Sequence, residues 1–138
     1  MLSSDNVERP EPLLLTGSKI LVVDDSTDIL LALSTFLAQY GANVVTAEDG
    51  EEAIRISLEQ NPDLILMDMQ LKEMDGDIAA SKLREQGVTI PIIALTGNTF
   101  CSSIEARALA GFNDYLAKPF DFKTLLTLLS RYINCRRL

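Results

Sequence analysis

The sequence predicts one α/β domain built on a doubly wound parallel sheet, and two observations lead to this prediction. Apolar runs without alternation, such as those at 20–23 and 64–67, are typical of strands covered on both faces, as in a parallel sheet. Between such runs, apolar residues recur at three- and four-residue spacing, which predicts helices. Five strand–helix units in succession predict a right-handed sheet with helices on both faces.

The predicted strands are short, and their residues are 19–23, 43–46, 63–67, 92–95 and 114–117. The predicted helices begin at capping residues and end at glycine or before proline. These positions are Ser26 or Asp25 to Gly41 for the first helix, Asp49 to about residue 59 for the second, 77–86 for the third, a capping-box pattern at Ser102 and Glu105 to Gly111 for the fourth, and Asp121 onward for the last.

The folded domain is predicted to span 19–134. Residues 1–18 contain Pro10, Pro12 and Gly17 with scattered charge, which is typical of a linker or tail, although the leucines at 13–15 are apolar enough to pack on the domain edge. Residues 135–138 are expected to form a polar tail.

Composition narrows the classes of function. The chain has 138 residues and a net charge of −8, which argues against a nucleic-acid-binding surface on this domain. Cys101 and Cys135 have no metal-ligand spacing and the chain has no His, so we expect reduced thiols in a cytoplasmic protein. The apolar stretches are too short to span a membrane and no signal-peptide pattern is present, so we expect no direct membrane insertion.

Acidic side chains follow two of the predicted strands. Asp24 and Asp25 come directly after the first strand and Asp68 directly after the third. In open α/β sheets, ligands bind beyond the carboxyl ends of the strands. Three carboxylates converging there would repel one another, a divalent cation would relieve the repulsion, and one carboxylate would be placed to act as a nucleophile. Singly, each Asp is better explained without a site, Asp25 as a helix cap and Asp24 and Asp68 as solvated strand ends, and only their occurrence together favours a site.

Two further polar residues occupy matching positions. Thr96 follows the fourth predicted strand and Lys118 the fifth. With these residues the chain, from about 19 to about 132, resembles a response-regulator receiver domain, the phosphoacceptor module of two-component signalling. The segments that carry the resemblance are Ile-Leu-Val-Val-Asp-Asp at 20–25, Leu-Met-Asp-Met-Gln at 66–70, Met-Asp-Gly at 74–76, Ala-Leu-Thr-Gly at 94–97 and Asp-Tyr-Leu-Ala-Lys-Pro at 114–119.

The resemblance implies a flavodoxin-like fold with strand order 2-1-3-4-5. It implies that Asp68 is the phosphoacceptor and that Lys118 and Thr96 contact the phosphoryl group. The three carboxylates bring −3 and Lys118 brings +1, and the remaining −2 matches one Mg²⁺ (or Mn²⁺) held by Asp24, Asp25, Asp68 and the backbone carbonyl of Gln70.

Further roles rest on the resemblance alone. Tyr115, with Thr96, matches the switch positions of the family, and Gln70 and Asn98 occupy positions that tune the lifetime of the phosphate. The bond from Lys118 to Pro119 is expected to be cis. Lys72 stands where the family often has proline, which leaves the rigidity of that loop open.

The implied partner is a histidine kinase or a histidine phosphotransfer protein. The closest likeness is to the receivers of hybrid sensor histidine kinases, so the domain is expected to be cytoplasmic, either untethered or attached through a parent kinase. A monomer, or a weak dimer that depends on phosphorylation, is expected.

Three other functions are compatible with parts of this pattern. An aspartyl phosphatase needs a second Asp two residues after the nucleophile, where Gln70 stands, and a flavin or nucleotide binder needs a glycine-rich loop after the first strand, which is missing. We therefore expect a phosphoacceptor signalling domain rather than an enzyme, one that catalyses only its own phosphorylation and dephosphorylation. A receiver-like docking module that works without phosphorylation stays open.

Overall fold

The structure, a computed structural model, describes residues 15–71, 74–96 and 111–137, the last four of them as backbone only. Five strands form one sheet in which every neighbouring pair is parallel. The strands are β1 (Lys19–Val23), β2 (Asn43–Ala47), β3 (Leu64–Asp68), β4 (Ile92–Thr96) and β5 (Asp114–Ala117). Their order, β2-β1-β3-β4-β5, confirms the predicted flavodoxin-like fold.

Four helices lie in the described residues, and each follows a strand. They are α1 (Thr27–Gln39), α2 (Gly50–Gln60), α3 (Gly76–Glu85) and α4 (Phe122–Arg137). The predicted helix between Ser102 and Gly111 lies outside the described residues except for Gly111 itself, as do Asn98, Cys101 and the side chain of Cys135.

Polar side chains begin the helices as the sequence predicts. Ser26, rather than Asp25, caps α1, because its side chain accepts a hydrogen bond from the N–H of Ile29. Asp49 caps α2 and Asp121 caps α4 in the same way. Each cap satisfies a backbone N–H group that the first helical turn leaves without a partner.

The three central strands, β1, β3 and β4, direct alternate side chains into two separate apolar layers. On one face, Ile20 and Val22 pack with the buried leucines of α1 and α4. On the other face, Leu21 and Val23 pack with buried residues of α2 and α3. Because both of their faces are covered, the central strands β1, β3 and β4 are apolar between their ends, and polar side chains stand at the ends.

The folded unit extends beyond both predicted limits. Leu15 is fully buried in the α1 and α4 layer, and its N–H donates to the carbonyl of Tyr40 at 2.8 Å. Residues 15–18, which the sequence places in a linker or tail, thus belong to the fold. At the other end α4 continues to Arg137, so 135–137 are helical rather than a tail. Among the described residues, no helix is long and apolar enough to cross a membrane.

Candidate functional site

The carboxyl ends of four strands meet at one edge of the sheet and bring the predicted polar residues together. Asp24 and Asp25 follow β1, Asp68 is the last residue of β3, Thr96 is the last residue of β4, and Lys118 follows β5. Parallel strands of similar length, in this order, end side by side. The sheet therefore gathers residues that are up to 94 positions apart in the sequence.

Three carboxylates crowd together at this edge. Asp24, Asp25 and Asp68 each offer an oxygen, and these oxygens all lie within 4.8 Å of one another. Asp24 is 1% exposed and Asp68 5%, whereas Asp25 is partly exposed. Two of the three charges are thus largely withdrawn from solvent, which makes their mutual repulsion stronger than it would be in water.

Backbone N–H groups fix the two buried carboxylates. Asp24 Oδ1 accepts from the N–H of Ser26 at 2.9 Å, and Asp68 Oδ1 accepts from the N–H of Gln70 at 3.1 Å. The N–H of Asp24 in turn donates to Ala47, which extends the hydrogen bonding between β1 and β2 by one residue. Each carboxylate therefore has one oxygen held by the turn that follows its own strand.

Gly76 lies close against the backbone of Asp68, and only a residue without a side chain fits there. Its N–H donates to the carbonyl of Met69 at 2.9 Å. A Cβ at position 76 would meet the carbonyl oxygen of Asp68 and the Cα of Met69 closer than Cβ atoms approach other atoms in proteins. Any side chain there would have to displace Asp68. The Met-Asp-Gly segment at 74–76 was recognised in the sequence, but the sequence does not show this contact.

Lys118 is the cation of the site. Its Nζ lies 3.3 Å from Asp24 Oδ2 and 3.6 Å from Asp68 Oδ1, so one ammonium bridges the two buried carboxylates. Its N–H donates to the carbonyl of Thr96 at 2.7 Å, and its bond to Pro119 is cis, as predicted.

Thr96 and Tyr115 share one face of the sheet. Thr96 pairs with Ala117, two residues after Tyr115, so the three side chains lie on the same side. Thr96 is 2% exposed at the end of β4, whereas Tyr115 is 43% exposed.

The charges of the site do not balance within the protein. Three Asp and one Lys leave −2 if all are ionised. Burial raises the pKa of the Asp68 carboxyl above its ordinary value, and the neighbouring charge of Asp24 raises it further, against the lowering effects of the Gln70 N–H and Lys118. Ionised Asp68 is therefore less favourable here than in water.

This donor set suits a hard divalent cation. Mg²⁺ prefers oxygen ligands and is commonly bound through one or two carboxylates and water, and three carboxylate oxygens within 4.8 Å of one another supply such ligands. The backbone carbonyl of Gln70, two residues after Asp68, stays a predicted ligand.

Comparison with known proteins indicates the same family as the sequence motifs. The model of the response regulator receiver domain matches residues 20–130. The transcriptional regulatory protein PrrA of Mycobacterium tuberculosis is 34% identical over 122 residues, which are 88% of this chain and 52% of PrrA. The chain thus spans about half the length of this curated relative.

Solved structures superpose closely on the chain. One is the complex of the Saccharomyces cerevisiae histidine phosphotransfer protein Ypd1 with the receiver domain of Ssk1, at a TM-score of 0.82 and 27% identity over 90% of this chain and 94% of the other. The receiver domain of the sensor histidine kinase PA1611 from Pseudomonas aeruginosa PAO1 is 38% identical, with a TM-score of 0.78 over 86% of this chain and 99% of its own, and is described with a magnesium ion coordinated in its active-site cleft.

The match over residues 20–130 covers the five strands, except for Lys19 at the start of β1, and every polar residue of the site. This chain therefore belongs to the family of response-regulator receiver domains of two-component signalling.

Proposed function

We propose that this chain accepts a phosphoryl group on Asp68 from a phosphohistidine, in a reaction that depends on Mg²⁺ or Mn²⁺. The observation that carries the proposal is the cluster of Asp24, Asp25 and Asp68, bridged by Lys118. A buried acidic cluster with one bridging lysine stabilises the fold poorly, because desolvation and repulsion oppose it. It is, however, suited to binding a cation and then an anionic phosphodonor.

Asp68 is the carboxylate best placed to attack phosphorus. Its Oδ1 accepts from the N–H of Gln70, and its backbone packs closely against Gly76. The carboxylate is therefore held in place while its second oxygen stays available to react. In the proposed step that oxygen forms a bond to phosphorus, and the bond from phosphorus to the imidazole nitrogen of the donor breaks. The product is an aspartyl phosphate, which water later hydrolyses.

The surrounding residues position the phosphoryl group and offset its charge. Asp24, Asp25, Asp68 and the carbonyl of Gln70 would hold the cation, whose +2 charge would offset the −2 of the site so that an anionic phosphoryl group can approach. The Lys118 ammonium is close enough to Asp68 to pair with a phosphoryl oxygen attached there. The hydroxyl of Thr96, at the end of the neighbouring strand, would bind another.

The donor histidine must come from elsewhere, since the chain contains no His. A histidine kinase or histidine phosphotransfer protein would supply it. The close superposition with a receiver domain solved in complex with a histidine phosphotransfer protein supports this partner class.

We further propose a surface change on phosphorylation. Phosphate adds about −1.5 to −2 charges and strong acceptors at Asp68, which would draw the Thr96 hydroxyl inward and leave space for Tyr115 to rotate from its exposed position. The shared face of Thr96 and Tyr115 supports this route. Gln70 is exposed beside the site, where its amide would tune the lifetime of the phosphate; we propose the same role for Asn98.

Replacing Asp68 by Asn should abolish phosphorylation, because the amide is not a nucleophile for phosphorus. With Mg²⁺, and with either acetyl phosphate or a phosphorylated histidine phosphotransfer protein as donor, the intact mass of the wild type should rise by one phosphate. Asp28→Asn, an exposed carboxylate of α1, is the matched control and should keep the increment. An equal increment in Asp68→Asn would overturn the assignment. No increment in the wild type with any donor would favour a docking module that is not phosphorylated.

Excess chelator should stop phosphorylation of the wild type, and Mg²⁺ should restore it. Asp25→Ala removes a partly exposed carboxylate of the cluster without disturbing the hydrogen bonds of Asp24 and Asp68. Its Mg²⁺ affinity should fall at least about tenfold, since the loss of even an outer partner of a metal site costs about 10–100-fold. Calorimetric titration with Mg²⁺ measures this directly. Wild-type affinity in Asp25→Ala would remove that residue from the metal site.

A beryllofluoride phosphate mimic should alter the amide NMR signals of the wild type well beyond the site. With Mg²⁺ present, changes in amide signals should extend from Thr96 through Tyr115 to Phe122. The signals of β1 and of α1 should stay unchanged. Asp68→Asn under the same conditions is the control for non-specific effects. Changes confined to residues that touch Asp68 would show binding without a switch.

A further inference from the structure

Arg84, near the end of α3, makes five hydrogen bonds at the amino ends of β4 and β5, the end of the sheet opposite the acidic site. Its Nη1 donates to the carbonyls of Val88 at 3.0 Å and Ile90 at 2.8 Å. Its Nε and Nη2 both donate to the carbonyl of Gly111, at 3.0 and 2.7 Å, and Nη2 also donates to Asn113 Oδ1 at 2.8 Å. Each acceptor is a backbone carbonyl or an amide oxygen, and within the described part of the chain no carboxylate forms an ion pair with Arg84.

The chain that leads into β5 is pressed against the Arg84 stem. Gly111 has a φ of 102°, in the left-handed region that favours glycine. A Cβ there would lie 3.0 Å from Arg84 Cγ and 3.4 Å from the carbonyl oxygen of Ala80. Both the conformation and the space at Gly111 therefore fit this contact with α3.

Asn113 connects the arginine to β4. Its Oδ1, which accepts from Arg84, also accepts from the N–H of Ile92 at 2.9 Å, and its own N–H donates to the carbonyl of Ile92 at 2.8 Å. Ile92 is the first residue of β4 and Asn113 immediately precedes β5. Arg84 and Asn113, which we call the Arg84 clamp, thus join the beginnings of both strands to α3.

The strand held by this clamp is short, and its beginning also contacts α4, where the Tyr132 hydroxyl donates to Asp114 Oδ2 at 2.9 Å and to the carbonyl of Asn113 at 3.3 Å. β5 has four residues, lies at the edge of the sheet, and pairs with β4 alone. Only Leu116 of its side chains is buried. At its far end, the N–H of Lys118 donates to Thr96, and the ammonium reaches Asp24 and Asp68.

We propose that Arg84 is a positioning residue for the phosphoacceptor site: by fixing where β5 begins against β4, it sets where Lys118 and Thr96 stand beside Asp68. The inference rests on the proposed function of Asp68. The planar guanidinium directs donors to Gly111, Asn113 and the 88–90 loop at once, an arrangement that the single ammonium of a lysine does not reproduce. A displacement of about 1 Å in a reacting group can cost about 100-fold in rate.

The test compares Arg84→Met and Arg84→Lys with Leu37→Ala. Leu37 is fully buried in α1, on the other face of the sheet from α3, so its replacement lowers stability without touching the clamp. Urea unfolding identifies conditions in which every variant is folded. There, amide NMR signals of Thr96 and Lys118 are recorded without metal, and phosphorylation by acetyl phosphate is followed with Mg²⁺.

Both Arg84 variants should shift the Thr96 and Lys118 signals, and Arg84→Met should phosphorylate at least about tenfold more slowly, with Arg84→Lys between it and the wild type. Leu37→Ala should leave these signals in place and react at nearly the wild-type rate. If Arg84→Met does not fold, Asn113→Ala, which removes only one acceptor of the clamp, should show the same two effects more weakly.

Unchanged signals at Thr96 and Lys118, together with a wild-type rate in folded Arg84 or Asn113 variants, would overturn the proposal and leave Arg84 a purely structural residue. Failure of the proposed function is distinguishable, because it would show as an unreactive wild type. The NMR comparison without metal does not depend on phosphorylation and still decides whether the clamp positions Lys118.

Discussion

The crowding of three carboxylates, two of them paired with one lysine, is the constraint on which the rest of the structure depends. The central strands are buried on both faces and accommodate polar residues only at their ends, and Asp24, Asp25, Asp68 and Lys118 collect at the carboxyl ends of the sheet. Burial raises the pKa of Asp68, and Lys118 offsets only part of the charge. Such an arrangement is costly for folding, and the proposed binding of a cation and a phosphoryl group would explain why it is present.

The crowded site keeps its geometry because groups outside it hold its side chains in place. Backbone N–H groups of the turns fix Asp24 and Asp68, and Gly76 leaves the Asp68 backbone the space it occupies. At the opposite edge, Arg84 holds the beginning of β5, the strand that carries Lys118. The site is therefore built on the ends of strands whose other ends are fixed, and this favours reproducible distances between reacting groups.

The fold and the site residues could be predicted because their signals are local. Continuous apolar runs mark buried strands, and the residue that ends each run marks the site, so the gathering of Asp24, Asp25 and Asp68 was expected before the structure. The strand order followed from the resemblance to receiver domains. Leu15 was ambiguous because a leucine next to a proline-rich segment has no periodicity to assign it to a core. The contacts of Arg84 had no sequence signal, since its acceptors are backbone carbonyls and the amide oxygen of Asn113, up to 29 residues away. The space at Gly76 likewise appears only when the two ends of the loop are brought together.

The charge imbalance itself is most directly tested by unfolding the wild type and Asp68→Asn in urea at neutral pH, once with chelator and once with saturating Mg²⁺. Because the pKa of Asp68 is raised, ionising it as pH rises through that pKa costs folded-state stability. In chelator, Asp68→Asn should therefore unfold at a higher urea concentration than the wild type. Mg²⁺ should stabilise the wild type by an amount that grows with metal concentration, and the variant much less. A wild type that is more stable than Asp68→Asn in chelator, and that does not respond to Mg²⁺, would contradict the account.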